Sequence, residues 1–135
     1  MATRMKPKNL PSISLRLDLE GGRLGPGKAA LLERIEQCGS IAAAGRSLGM
    51  SYRRAWSLVT ELNAIFGRPL VETQHGGKTG GGAALTDLGR RVVGHYRDAE
   101  RASAEASRSS LEALQAEIDR AEDQGPEARP RDSSE

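Results

Sequence analysis

Cysteine, histidine and aromatic residues are all scarce in this sequence. Cys38 stands alone, which excludes an internal disulfide, and the two histidines, His75 and His95, do not combine with it in metal-ligand spacing. No zinc site is expected, and no pattern calls for another cofactor. Four aromatics, Tyr52, Trp56, Phe66 and Tyr96, are too few to build the stacking platforms that hold single-stranded nucleic acid, which argues against OB-fold and RRM readers. Long apolar runs are missing too. The first twenty residues set Arg4, Lys6, Lys8 and Arg16 around no continuous apolar stretch, so neither a spanning helix nor a signal peptide is expected. The chain reads as soluble and cytoplasmic, without a membrane contact. Catalytic signatures are equally absent: Cys38 pairs with neither histidine in a recognisable nucleophile–base motif, and no Ser/His/Asp set occurs. An enzyme is not expected.

Two glycine-rich motifs fail their contexts. Gly25-Pro-Gly27-Lys-Ala-Ala30 spells GxGxxA between a strand and a helix, but no acidic residue ends a second strand about twenty residues on. Gly77-Lys78-Thr79 resembles the end of a P-loop, yet the position that needs its first glycine is Glu72.

The 135 residues suffice for one compact domain with an appended helix. A net charge of +2 conceals a division: residues 1–82 hold twelve Lys or Arg against six Asp or Glu, whereas residues 83–135 hold eight against twelve. A basic body followed by an acidic helical segment suits a body that meets a polyanion.

Residues 1–11 are basic, Pro-containing and aperiodic, which predicts a flexible arm. From Ile13 to Glu20 apolar and polar residues alternate, predicting a strand that ends at Gly21-Gly22. Pro26 opens a helix with Leu31, Leu32, Ile35 and Cys38 on one face, stopped by Gly39. Ser40 caps a second helix, to about Leu48, with Ile41, Ala44 and Leu48 inward, and Ser51 caps a third, ending at Gly67. Leu70–Thr73 and Ala83–Leu85 bracket the Gly-rich segment from His75 to Gly82, the pattern of a hairpin with a long tip. Thr86 caps a fourth helix carrying Leu88, Val92 and Tyr96 on one side. Leu111, Leu114 and Ile118 follow as an a/d-like set in a different register, so residues 87–121 form either one helix with a stutter or two helices separated near 107–110. Residues 122–135 read as a disordered tail.

Ser40 to Leu62 carries the functional signal. A helix-turn-helix needs a small residue where its helices cross, a tight turn, and a second helix with one face in the core and the other free for the major groove. Ala44 and Gly45 supply the crossing and Gly49-Met50-Ser51 the turn. With Ala55, Val59 and Leu62 inward, the outer face of the third helix presents Arg53, Ser57 and Thr60, flanked by Tyr52, Arg54 and Trp56. Arg53 is the first choice for a bidentate contact to guanine, and Ser51 suits both capping and a phosphate.

These residues bring a resemblance into view. SIAAAGRSLGMSYRRAWSLVTELN and PLVETQHGGKTGGGAALTDLGRRVVGHY resemble the amino-terminal DNA-binding domain of the ModE family of molybdate-responsive bacterial regulators, within the LysR-like winged helix-turn-helix group. The resemblance spans roughly residues 13–118. It implies a mainly α fold with a small β component: a winged helix-turn-helix domain over residues 12–86 and a long carboxy-terminal dimerisation helix over 87–121. By position it implies DNA contacts from Ser51, Tyr52, Arg53 and Arg54, with Lys78 as the wing lysine. Dimer contacts are expected from Leu88, Val92, Tyr96, Leu111, Leu114 and Ile118. Full-length ModE proteins continue into paired molybdate-binding domains, for which these residues leave no room, so the expected signal is either absent or supplied by a separate effector-sensing protein. The expectation is a homodimeric transcription regulator of double-stranded DNA. The alternative is a winged-helix interaction module that pairs with another regulator and does not bind DNA on its own.

Overall fold

The computed structural model describes residues 10–74 and 82–124. Eight elements follow in order: β1 (Leu17–Leu19), β2 (Gly22–Leu24), α1 (Pro26–Cys38), α2 (Ile41–Ser47), α3 (Tyr52–Phe66), β3 (Val71–Gln74), β4 (Gly82–Leu85) and α4 (Asp87–Gln124). The described residues divide into two units, Ser14–Arg101 and a second that includes residues 102–124.

In the first unit, α1, α2, α3, the start of α4 and two antiparallel hairpins share one core. Leu31, Leu32 and Ile35 of α1 meet Ile41 and Ala44 of α2 and Ala55, Val59 and Leu62 of α3, with Leu70, Leu85, Val92 and Tyr96 completing it. Each helix end has a local cause. Pro26 occupies the first turn of α1, where its missing N–H leaves no bond unmade. Ser40 and Ser51 cap α2 and α3, their hydroxyls accepting from Ala43 N–H at 2.9 Å and Arg54 N–H at 3.0 Å.

The predicted strand over Ile13–Glu20 is shorter than the alternation suggested. Only Leu17–Leu19 is extended in a ladder, because its partner is the three-residue segment Gly22–Leu24, reached by an immediate reversal at Glu20-Gly21. Ser14 to Arg16 precede the ladder, and the Leu15 carbonyl instead accepts the Tyr96 hydroxyl at 2.7 Å. The expected hairpin after Pro69 is present, with Val71 opposite Leu85 and Gln74 opposite Gly82.

α4 runs from Asp87 to Gln124 as one helix, through 107–110 without a break. Thr86 caps it, accepting from Gly89 N–H at 3.0 Å while donating to the Pro69 carbonyl at 2.9 Å. Val92 and Tyr96, expected to face a second protomer, belong to this chain's own core at 5% and 0% exposure. The Tyr96 hydroxyl reaches the Leu15 carbonyl ahead of β1, and the two side chains leave almost no surface for a partner. Leu88 is half-buried against the same core.

Burial raises the Tyr96 phenol pKa, and Arg97 lies over its ring at 5.4 Å. Arg97 also bridges Glu33 at 2.7 Å and Glu100 at 2.8 Å, and its hydrogen bond holds Glu33 below the usual carboxylate value. Replacing Tyr96 with Phe keeps the ring and strands the Leu15 carbonyl. Denaturant unfolding of Tyr96→Phe is expected to show a loss of about 1–2 kcal/mol; an unchanged midpoint would mean that solvent satisfies that carbonyl.

In the second unit, Leu114 and Ile118 are exposed at 59% and 52%, and Leu111 is half-buried. The helix here is laced by local ion pairs, Arg108 with Glu105 and Arg120 with Glu117.

Candidate nucleic-acid interface

The crossing of α2 and α3 sets the site. Gly45 is buried, and a Cβ there would stand 3.1 Å from Ala55 Cβ and 3.4 Å from the Met50 carbonyl oxygen. The absent side chain is therefore what lets the two helices approach. Met50 N–H returns to the Gly45 carbonyl at 2.9 Å, and Gly49 takes a left-handed φ of 75°, the conformation a tight turn needs and glycine tolerates. α3 leaves this turn with its register fixed: Ala55, Leu58, Val59 and Leu62 are buried.

The opposite face is free. Arg53, Ser57 and Thr60 are exposed and, at about 100° per residue, lie in one narrow arc. From Arg53 to Thr60 the arc extends about 10 Å along the helix, a length of about three base steps. Arg54 is exposed to one side, and Tyr52 and Trp56 line the other, their rings edge to face at 6.3 Å. Ser51, exposed at the helix start, spends its hydroxyl on the cap. The structure thus brings together Ser51, Tyr52, Arg53, Arg54, Ser57 and Thr60 on one helix. Lys78 lies outside the described residues.

Two cations of this face are unneutralised. Among the described residues, Arg53 and Arg54 form no ion pair, and neither do Arg46 at the end of α2, Arg68 just after α3 or Arg91 on α4. By contrast Arg90, Arg97, Arg101, Arg108 and Arg120 of α4 each bond a carboxylate. Glu61, the one acidic side chain of α3, is held by Lys28 at 3.1 Å. The start of α3 combines two unneutralised guanidinium groups with the positive end of a helix dipole, an arrangement that attracts anions.

Residues not singled out by sequence reasoning hold α3 and the hairpin in place. Asn63 Oδ1 accepts from Leu70 N–H at 2.9 Å, tying the end of α3 to the start of β3. Glu36 of α1 accepts from Leu85 N–H at 2.9 Å and from Arg90 at 3.0 Å, and the backbone bond, then the guanidinium, lowers its pKa. Gly89 lets α4 pass against the Leu70 carbonyl, where an added Cβ would collide. An isolated glycine inside a helical pattern was the one signal for this last position.

Residues 28–90, which contain α2, α3 and both wing strands, match the model of the lysR family of bacterial regulatory helix-turn-helix proteins. They are a LysR-type helix-turn-helix domain. The chain is 42% identical over 80 residues to the molybdenum-pterin-binding protein MopB of Rhodobacter capsulatus, covering 59% of this chain and 30% of that protein. It is 42% identical over 91 residues to the molybdenum transport protein ModE of Azotobacter vinelandii, covering 67% of this chain and 33% of that one. With the DNA-binding transcriptional dual regulator ModE of Escherichia coli K12 it shares 41% over 71 residues, 53% of this chain and 27% of the relative. The chain therefore spans about a third or less of the length of these relatives, and the LysR-type domain falls in the shared part. In that domain α2 and α3 are the helix-turn-helix and β3 with β4 the wing. Among the described residues, no helix is long and apolar enough to cross a membrane.

Proposed function

We propose that the chain is a sequence-specific DNA-binding regulator of transcription that acts as a homodimer on genes of molybdenum metabolism. The observation that carries this reading is the exposed face of α3, where Arg53, Ser57 and Thr60 align and Arg53 and Arg54 stay outside every ion pair among the described residues. In the proposed complex α3 enters the major groove. Arg53 donates to a guanine edge, Ser57 and Thr60 contact neighbouring bases, and Arg54 and Ser51 meet phosphates. Lys78, between β3 and β4 in sequence, takes the phosphate contact that the resemblance implies for the wing. The molybdenum connection rests on the relatives, which are named for molybdenum transport, molybdenum-pterin binding and transcriptional regulation.

Pairing is assigned to the acidic part of α4. Leu111, Leu114 and Ile118 recur at spacings of three and four, and Leu114 and Ile118 are largely exposed. A two-fold dimer suits two half-sites about 34 Å apart, one turn of duplex. Sedimentation of the wild-type chain is expected to give a dimer, and of Leu114→Glu/Ile118→Glu a folded monomer; a variant that still sediments as a dimer would move the interface elsewhere.

Titration of the chain into a labelled mixed-sequence duplex at rising salt tests the polyanion component. The association constant is expected to fall linearly on logarithmic axes, with a slope of about 0.9 per phosphate neutralised. Absent or salt-insensitive binding would contradict the reading.

A further inference from the structure

Tyr52, on the flank of α3, adds nothing to the core of this chain. The sequence holds only four aromatic residues. Tyr96 is spent in the core and Phe66 packs against it, whereas Tyr52 and Trp56 sit one turn apart on a single edge of α3, beside Arg53. Tyr52 is 55% exposed, and its hydroxyl makes no hydrogen bond among the described residues. It is nevertheless not loose. Trp56 is half-buried against the core and meets the Tyr52 ring edge to face, with centroids 6.3 Å apart and planes at 84°. This contact restrains the ring before any ligand arrives, which reduces the ordering cost of using it in recognition.

An apolar surface fixed on the flank of a groove-reading helix has one complementary feature to find. Base edges in the major groove present hydrogen-bond donors and acceptors, which suit Arg53, Ser57 and Thr60. The C5-methyl of thymine is the apolar exception. Resting on the DNA-binding reading above, we infer that the Tyr52 ring, positioned by Trp56, packs on a thymine methyl in each half-site and so specifies T beside the base read by Arg53. Tyr52 is the specificity residue and Trp56 its positioning residue.

The test uses the full chain and a duplex that it selects from a random library. Each thymine is replaced in turn by deoxyuridine, which removes only the methyl group. At one thymine per half-site the wild type is expected to bind about fourfold more weakly, the value of one buried methyl group. Tyr52→Phe should keep this response. Tyr52→Ala should bind the thymine duplex as weakly as the wild type binds the deoxyuridine duplex, and should not respond to the replacement; circular dichroism checks that it folds. A wild type indifferent to every replacement overturns the inference, and so does an undiminished response in Tyr52→Ala. Loss of the deoxyuridine response in Tyr52→Phe would tie that response to the hydroxyl rather than the ring and also overturn it. Failure to select any duplex would fall on the DNA-binding reading itself and take this inference with it.

Discussion

Replacing Arg53 and Arg54 together with alanine is expected to weaken binding to the selected duplex by about 3 kcal/mol, more than a hundredfold, with almost no change in the protein's stability. The two effects separate because of where the side chains are. Both arginines are exposed, and neither forms an ion pair among the described residues, so no interaction of the folded chain is lost. The cap of α3 survives, since Ser51 accepts from the backbone of Arg54 and not from its side chain. Alanine is also the better helix former. The singles should differ in kind. Arg53→Ala is expected to relax selection at one base position, costing about 1–3 kcal/mol, while Arg54→Ala weakens binding to all sequences and lowers the salt slope by about one. Anisotropy titrations at several salt concentrations, with thermal unfolding alongside, read both quantities. Equal and small losses in the two singles would place α3 outside the groove.

Gly89→Ala should have the largest effect on folding of any single methyl addition in the LysR-type domain. A Cβ at Gly89 would overlap the Leu70 carbonyl and stand 3.3 Å from Leu85 Cβ. That carbonyl cannot turn aside freely, because it accepts from Thr86 N–H at 2.9 Å, and Leu70 N–H is held by Asn63. Relief requires α4 to shift from the start of β3, disturbing Thr86, the wing strands and Glu36 together. The expected loss is about 3 kcal/mol in denaturant unfolding, despite the higher helix propensity of alanine. Gly94→Ala is the control: it lies on the same helix with no atom within 4 Å of its added Cβ, and should be neutral or slightly stabilising. Similar losses at both positions would mean that the Leu70 contact is not what excludes a side chain.

The outer face of α3 was more legible in the sequence than the packing around it, for a physical reason. α3 is specified locally: Ser51 starts it, Gly67 ends it, and its apolar period fixes which side chains point outward, so Arg53, Ser57 and Thr60 follow from spacing alone. Gly45 is legible because a glycine between apolar positions of a short helix marks a close approach. The β1–β2 hairpin was hidden because Gly22–Leu24 is too short to carry an alternation, and its pairing is decided by the reversal before it. Val92 and Tyr96 were recognised as apolar and assigned to a partner, because period identifies a stripe without saying what covers it; the Leu15 carbonyl lies 81 residues from the Tyr96 hydroxyl it accepts. Glu36, which binds Leu85 and Arg90, is unreadable for the same reason. The bond from Arg97 to Glu33 likewise required the fold.

Selection of fragments from a random duplex library by the purified chain, at low and at high salt, asks directly whether α3 reads sequence. A dimer presenting two copies of α3 should enrich a two-fold-symmetric motif with half-sites about one helical turn apart, and enrichment should sharpen as salt suppresses binding by charge alone. Folded protein that enriches no motif at either salt concentration would contradict the assignment of the Arg53 face to DNA, and would make the domain an interaction module that acts through another regulator.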